Sequence, residues 1–224
     1  INVDGLEWKR DKWNFLGKSY FKMAAWFSTK ISDKIIADSK GIADFYKKRW
    51  NTKSNLIEYG AYVKKSSNNR VLDDFNLIKQ KFFLQITRFE PENNPLLTIN
   101  AFKQFKLENS NSNLKLIIIG DVPYPSKYSE LIKSEIREDI ILPGYIYDVN
   151  ILTELRANSL AYIHGNQVGG TNPALLEAMG SHAFIIARSV NSNYEVLEKG
   201  GIYYENDIDS LKNCFNLVYL KRVD

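Results

Sequence analysis

Gly169-Gly170-Thr171-Asn172-Pro173-Ala174-Leu175-Leu176-Glu177-Ala178-Met179-Gly180 is a glycine turn running into a helix. The glycines free the backbone, Thr171 or Asn172 offers a capping oxygen, and Pro173 suits the first helical position. Residues 160–164, Leu-Ala-Tyr-Ile-His, read as a buried strand, so the turn stands at a strand's carboxyl end, the edge where open α/β sheets bind ligands. Unpaired N–H groups and the positive end of the helix dipole favour a phosphate there. Glu177, about one turn into the helix, reaches the position of a ribose hydroxyl. A nucleotide-diphosphate site is the leading expectation.

Outward from this turn the chain alternates short apolar runs with amphipathic segments. Residues 82–87, 114–119, 140–142, 160–164, 183–187 and 201–204 read as strands, and 96–107, 126–137, 149–157, 174–179, 194–199 and 208–222 as helices. Continuous Ile/Leu/Phe runs without polar alternation suit strands covered on both faces, which predicts an α/β fold with a doubly wound, Rossmann-like parallel sheet. Before residue 80, residues 34–38 and 56–59 read as strands around a helix at 41–50, the remnant of another α/β unit. The polar stretch 62–79 reads as a linker, which gives an organisation of 1–61, 62–79 and 80–224.

With 224 residues, 44% of them apolar, the chain can bury a substantial core and is not compositionally disordered. A net charge of +4 suits a phosphate-bearing ligand or an anionic surface but is common in ordinary soluble proteins. The single cysteine, Cys214, excludes an internal disulfide and a cysteine-cluster metal site, and fits a reducing compartment. With two histidines and no close acidic cluster, no metal-site spacing is present. No apolar run is long enough to span a bilayer and the start has no secretory signal, so a cytoplasmic location is expected. Beginning at Ile1 and ending within a helical pattern, the chain reads as a fragment.

Three further loops open on the same predicted edge. Arg88, in Thr87-Arg88-Phe89-Glu90-Pro91-Glu92-Asn93-Asn94, can clamp a diphosphate or pair with Glu90 or Glu92 on the surface. Gly120-Asp121-Val122-Pro123 is a sharp strand exit, and in Leu142-Pro143-Gly144-Tyr145-Ile146-Tyr147 the backbone of Tyr145 and Ile146 can meet a base on which Tyr147 stacks. For Tyr147 the alternative is surface packing. His164 is a candidate for a sugar pocket or a hydrogen-bonded structural residue.

The order Arg88, Pro143-Gly144-Tyr145, then Gly170 to Met179 resembles the C-terminal, donor-binding domain of retaining GT-B glycosyltransferases of family four, over about residues 81–220. The resemblance implies that Glu177 is the second glutamate of the family's pair and holds the ribose, while Arg88 faces the pyrophosphate. Gly169 stands where the family often has its first glutamate, and Asn93 where it often has a lysine. Together with Asn2 to Arg10, Ile36-Ala37-Asp38-Ser39 and Gly169 to Pro173, these departures resemble bacterial rhamnosyltransferase-like enzymes of surface-polysaccharide synthesis.

That resemblance implies metal-independent transfer, with retention, from a dTDP-, UDP- or GDP-sugar to a glycan or lipid-linked acceptor, with no cofactor beyond the co-substrate. Arg88 and the helix start at residues 172–175, Ala174 included, then offset charge on the diphosphate, with hydrogen bonds from Asn93, Asn94 and Thr171. Asp4 lies near the loop where relatives carry a histidine facing the sugar, and is equally a turn former before Gly5. Because such a reaction centre forms between two domains, the fragment is expected to bind donor without turnover. Residues 8–27 interleave aromatics with lysines on a predicted helix, which fits an aromatic stripe packed on the rest of its domain or peripheral contact with an anionic membrane. The alternatives are a nucleotide-sugar epimerase of the same architecture and a basic module binding nucleic acid or membrane; nucleic acid is not the expected partner.

Overall fold

The computed structural model describes every residue except 4, 11, 65, 67–69, 223 and 224, and the backbone alone of Arg222. Strand β1 (Asn2–Val3) leads through a single 3-10 turn into helix α1 (Phe15–Ile31), then β2 (Ile35–Ala37), α2 (Lys40–Trp50) and β3 (Ser54–Leu56). These strands form a parallel sheet in the order β1-β2-β3. After a short helix α3 (Arg70–Asp74) come β4 (Phe82–Ile86), α4 (Pro95–Glu108), β5 (Lys115–Ile119), α5 (Lys127–Lys133), β6 (Ile140–Gly144) and α6 (Val149–Asn158). The chain continues as β7 (Ala161–His164), α7 (Pro173–Gly180), β8 (Ile185–Arg188), α8 (Asn191–Leu197), β9 (Gly201–Tyr204) and α9 (Ile208–Arg222).

The six later strands make one parallel sheet in the order β6-β5-β4-β7-β8-β9. From β4 the chain winds outward to β6, returns to β7 on the other side of β4, and winds outward again to β9. The order therefore reverses between β4 and β7, and the crevice beyond their carboxyl ends is where such sheets bind ligands. Alternation along β4 shows why its sequence is apolar throughout: Phe83 points into one core with Phe102, Phe105 and Phe215, and Phe82 and Leu84 into the opposite core with Tyr162 and Leu175. In the first core the rings of Phe83 and Phe215 lie 4.4 Å apart.

The expected strands and helices of the large sheet are all present, with shifted ends. Helix α5 stops at Lys133, where Ser134 caps it, rather than at residue 137. In the first lobe β3 occupies Ser54–Leu56 rather than 56–59, because this edge strand is fixed by its pairing with β2, Ile35 opposite Ser54, and not by burial of Leu56 or Ile57, which stay exposed. The stretch read as a linker holds α3, whose Leu72 is buried, with Leu77, in the second core. Helix α1 buries none of its residues, and Phe15, Leu16, Tyr20, Met23, Trp26, Phe27 and Ile31 are exposed along it.

Two residues at the strand ends generate predictions about stability. Gly120, just past β5, has φ +138°, and a Cβ there would lie 1.8 Å from the Thr87 carbonyl oxygen. Gly120→Ala is expected to destabilise the fold by about 2 kcal/mol or more through this overlap and the strained φ; urea denaturation showing less than about 0.5 kcal/mol would refute the tight crossing of β4 and β5. His164, at the end of β7, is 1% exposed, stacks on Tyr162 at 6.3 Å, and has no hydrogen-bond partner at Nε2. Burial lowers its pKa from 6.5 to about 4. The unfolded chain thus takes up this proton first: stability is intact above pH ~6.5 and falls as pH drops from there towards ~4. Between pH 7 and 5 the parent is expected to lose about 2 kcal/mol more than His164→Phe, and equal losses would remove this role.

Candidate functional site

The site begins with the loops after β4 and β7, adjacent strands whose ends define the crevice. They are stitched together by two hydrogen bonds, Asn94 Nδ2 donating to the Gly165 carbonyl at 2.8 Å and the Gln167 N–H to the Glu92 carbonyl at 3.1 Å, while Gln85 Nε2 of β4 donates to the Asn93 carbonyl at 3.0 Å and ties the first loop to its own strand. Asn93 Nδ2 donates to the Arg88 carbonyl at 3.0 Å, closing the loop on itself. Asn93 and Asn94 are buried, 4% and 8% exposed, so their amide nitrogens build the loop instead of reaching a diphosphate as expected. Asn94 also adopts the left-handed conformation, φ 58°, to start α4.

Arg88 itself is exposed, and among the described residues it forms no ion pair. The surface pairing with Glu90 or Glu92 does not form. Glu90 is buried and accepts a hydrogen bond from Tyr124, whose phenol is driven up to about 12 by that bond. Glu92 is 1% exposed, with Arg10 Nη1 of the first lobe 3.7 Å from its Oε1. Burial raises the pKa of the Tyr145 phenol, as do Asp121 and Tyr147, while Arg88 and Lys133 oppose the rise. Arg88 therefore acts electrostatically on Tyr124 after β5 and on Tyr145 after β6. Tyr145 and Tyr147 stack on each other at 5.7 Å with planes 16° apart, Tyr147 being 82% exposed, and Ile146 between them packs on the second core.

The glycine turn differs from its reading in three respects. A Cβ on Gly5 would lie 2.7 Å from Gly169 Cα, where main chain of the two lobes meets, and a Cβ on Gly170 would lie 2.3 Å from Oδ1 of the Asp38 side chain, which would have to shift. Gly169 has φ +139°, and the position a Cβ on it would take is open. Thr171 Oγ1 donates to the Asp38 carbonyl at 3.0 Å instead of standing free for a phosphate. Asn172 is the cap: its Oδ1 accepts from the Ala174 N–H at 3.0 Å, and its carbonyl from the Leu175 N–H at 3.1 Å. The first turn of α7 is thus satisfied internally, and the N–H groups of 168–172, 169–172 in the glycine turn itself, have no partner among the described residues, which moves the open amides three residues ahead of the expected 172–175.

Glu177 is on the exposed side of α7, where its Oε2 pairs with Arg156 Nη2 of α6 at 2.5 Å. The two border a cavity of about 230 Å³ with Val149, Thr153, Pro173 and Tyr62. His164 lies beneath the crevice and is too buried for the expected sugar contact. Asp4 lies outside the described residues. Arg156, the Glu92 and Arg10 pair, and the Asp38 contact were missed by sequence reasoning, since each joins residues far apart in the chain. A second junction of the lobes runs from the Lys40 and Gly41 N–H groups, at the start of α2, to the Glu195 carboxylate of α8. Among the described residues no group of three or more His, Cys, Asp or Glu could hold a metal ion.

Residues 72–222 match the glycosyl transferases group 1 family, and residues 1–62 match a domain of unknown function, DUF1972. Protein CapJ of Staphylococcus aureus is 26% identical over 117 residues, 52% of this chain and 30% of that protein. Anabaena Alr3699/HepE in complex with UDP superposes with a TM-score of 0.77 at 14% identity, covering 100% of this chain and 62% of that one. A point mutant of S. aureus TarM, in complex with Fondaparinux, alpha-GlcNAc-glycerol and UDP, gives 0.76 at 14% identity, covering 99% and 44%. The chain spans less than two thirds of the length of each of these relatives, and the structural likenesses show a shared GT-B fold of parallel α/β sheets. The family match extends over more than half of the chain, and the protein belongs to the group 1 glycosyl transferases.

Proposed function

We propose that this protein binds a nucleotide-diphosphate sugar beyond the ends of β4 and β7 and transfers its sugar, with retention, to a glycan or lipid-linked hydroxyl. The observation that carries this reading is an exposed arginine without a carboxylate partner, Arg88, on a loop fastened to the one that holds the partnerless amides of 169–172. Both favour an anion, and their loops lie at one crevice of the sheet. Glu177 and the stacked pair Tyr145 and Tyr147 stand on neighbouring elements of the same edge, suited to a ribose and a base.

In the proposed reaction the bond between the sugar's anomeric carbon and the diphosphate breaks while the acceptor oxygen bonds to that carbon from the same face. The acceptor's proton passes to the departing diphosphate oxygen. Arg88 and the amides stabilise the charge that develops on the leaving group, so the chemistry asks for no metal. Structures of relatives in complex with UDP and glucose, and with UDP and alpha-GlcNAc-glycerol, support a nucleotide sugar and a hydroxyl acceptor. A rhamnosyl donor rests on the sequence resemblance alone. Peripheral contact with an anionic membrane surface, where a lipid-linked acceptor would lie, is supported by α1, which carries Lys18, Lys22 and Lys30, no acidic residue, and exposed aromatics.

Calorimetric titration with UDP, GDP and dTDP tests the donor site. Arg88→Ala is expected to weaken the preferred diphosphate roughly tenfold to a hundredfold, the range for a hydrogen bond to a charged group, with unchanged melting because Arg88 is exposed and unpaired. Glu177→Gln, which keeps a hydrogen-bonding partner for buried Arg156, is expected to weaken it by roughly tenfold. If both variants bind as the parent does, the assignment of this edge as the donor site fails.

A further inference from the structure

Arg156 is 2% exposed near the end of α6, and among the described residues its one ion pair is with Glu177. Its Nε is buried without a hydrogen bond, and Glu154, the one acid on α6, accepts from Ser66 and Asn158. A buried guanidinium costs several kcal/mol in desolvation, which one ion pair seldom repays, and an apolar residue of similar volume usually stabilises such a site as well or better. Packing therefore does not account for an arginine here. What the guanidinium does is take one carboxylate oxygen: Oε2 of Glu177 is held at 2.5 Å, while Oε1 has no partner among the described residues. Glu177 is otherwise half exposed on a helix surface, where an unpaired glutamate samples several rotamers.

We infer that Arg156 is a positioning residue for nucleotide recognition: from beneath α7 it fixes the Glu177 carboxylate so that its second oxygen accepts from the vicinal hydroxyls of a ribose in the cavity beside Val149 and Thr153. This rests on the proposed donor site and deepens it, since it makes discrimination for an intact ribose diol, present in UDP and GDP and absent from the 2′-deoxynucleotide dTDP, a property of two residues, one of which never touches the ligand.

Titration of the protein with UDP, with 2′,3′-dideoxyuridine diphosphate and with pyrophosphate tests it. The parent is expected to prefer UDP over the dideoxy compound by roughly tenfold or more. Arg156→Met is expected to bring that ratio close to one while pyrophosphate affinity stays within about twofold; Arg156→Lys, which keeps a cation there, restores most of the ratio. Added to Glu177→Gln, Arg156→Met changes the ratio no further, as required if both act through one contact. Should Arg156→Met fail to fold by circular dichroism, Arg156→Gln carries the same expectation. If Glu177→Gln removes the ratio and the neutral Arg156 variants retain it, the role of Arg156 is overturned and the donor site stands. If Glu177→Gln leaves the ratio as it was, the ribose reading itself fails, and this inference with it.

Discussion

The hydrogen bonds that join the loop after β4 to the loop after β7 are the constraint on which the site depends. A parallel sheet brings its strand ends to one edge but leaves the loops beyond them free to diverge. Here Asn94 holds the Gly165 carbonyl and the Gln167 amide the Glu92 carbonyl, while Gln85 of β4 holds the Asn93 carbonyl, so the first loop is fixed both to its own strand and to the second loop. Buried amide pairs of this kind are costly to break, since each leaves an unsatisfied polar group away from water. The guanidinium of Arg88 and the free amides of 169–172 consequently keep a fixed relation even though each loop alone has little regular structure.

The acids next to that arginine are disposed so as not to cancel it. Glu90 and Glu92 lie within four residues of Arg88 and would neutralise it if they shared its surface. Instead, the 3-10 turn at Pro91–Asn93 directs both inward, one to Tyr124 and the other towards Arg10 of the first lobe. A positive charge is left facing solvent at the mouth of the crevice, while the compensating negative charges are spent on holding the loop and joining the lobes. Electrostatic stabilisation of a developing anion needs this kind of prior arrangement, because a cation already paired must first be freed.

The strands of the large sheet were legible in the sequence because each is covered on both faces, and continuous apolar runs such as Leu116 to Ile119 have no other stable placement. The edge strand β3 was misplaced by two residues because pairing, not burial, fixes it, and α3 was hidden in a polar stretch whose buried Leu72 carries no periodic signal. At the site the residue types were legible and their roles were not. Asn93, Asn94 and Thr171 read as ligand contacts since their side chains can donate to phosphate, yet a loop and a lobe contact that only the fold creates take those same donors. Arg156 had no signal, because its partner lies 21 residues on, in another helix.

Where the lobes meet at Gly5 and Gly170 the surfaces in contact are main chain, the Asp38 side chain and the Thr171 hydroxyl. Such a seam is indifferent to sequence drift in its surroundings where main chain meets main chain, at Gly5 and Gly169, and sensitive to drift at Asp38 and Thr171, whose side chains touch across it. It is intolerant at Gly5 itself, where a single methyl group would act as a wedge, and one at Gly170 would displace the Asp38 side chain. Part of the mutual fit of the two halves is therefore inherited through missing atoms, beside the junctions that the Glu92 and Glu195 side chains make elsewhere along the seam.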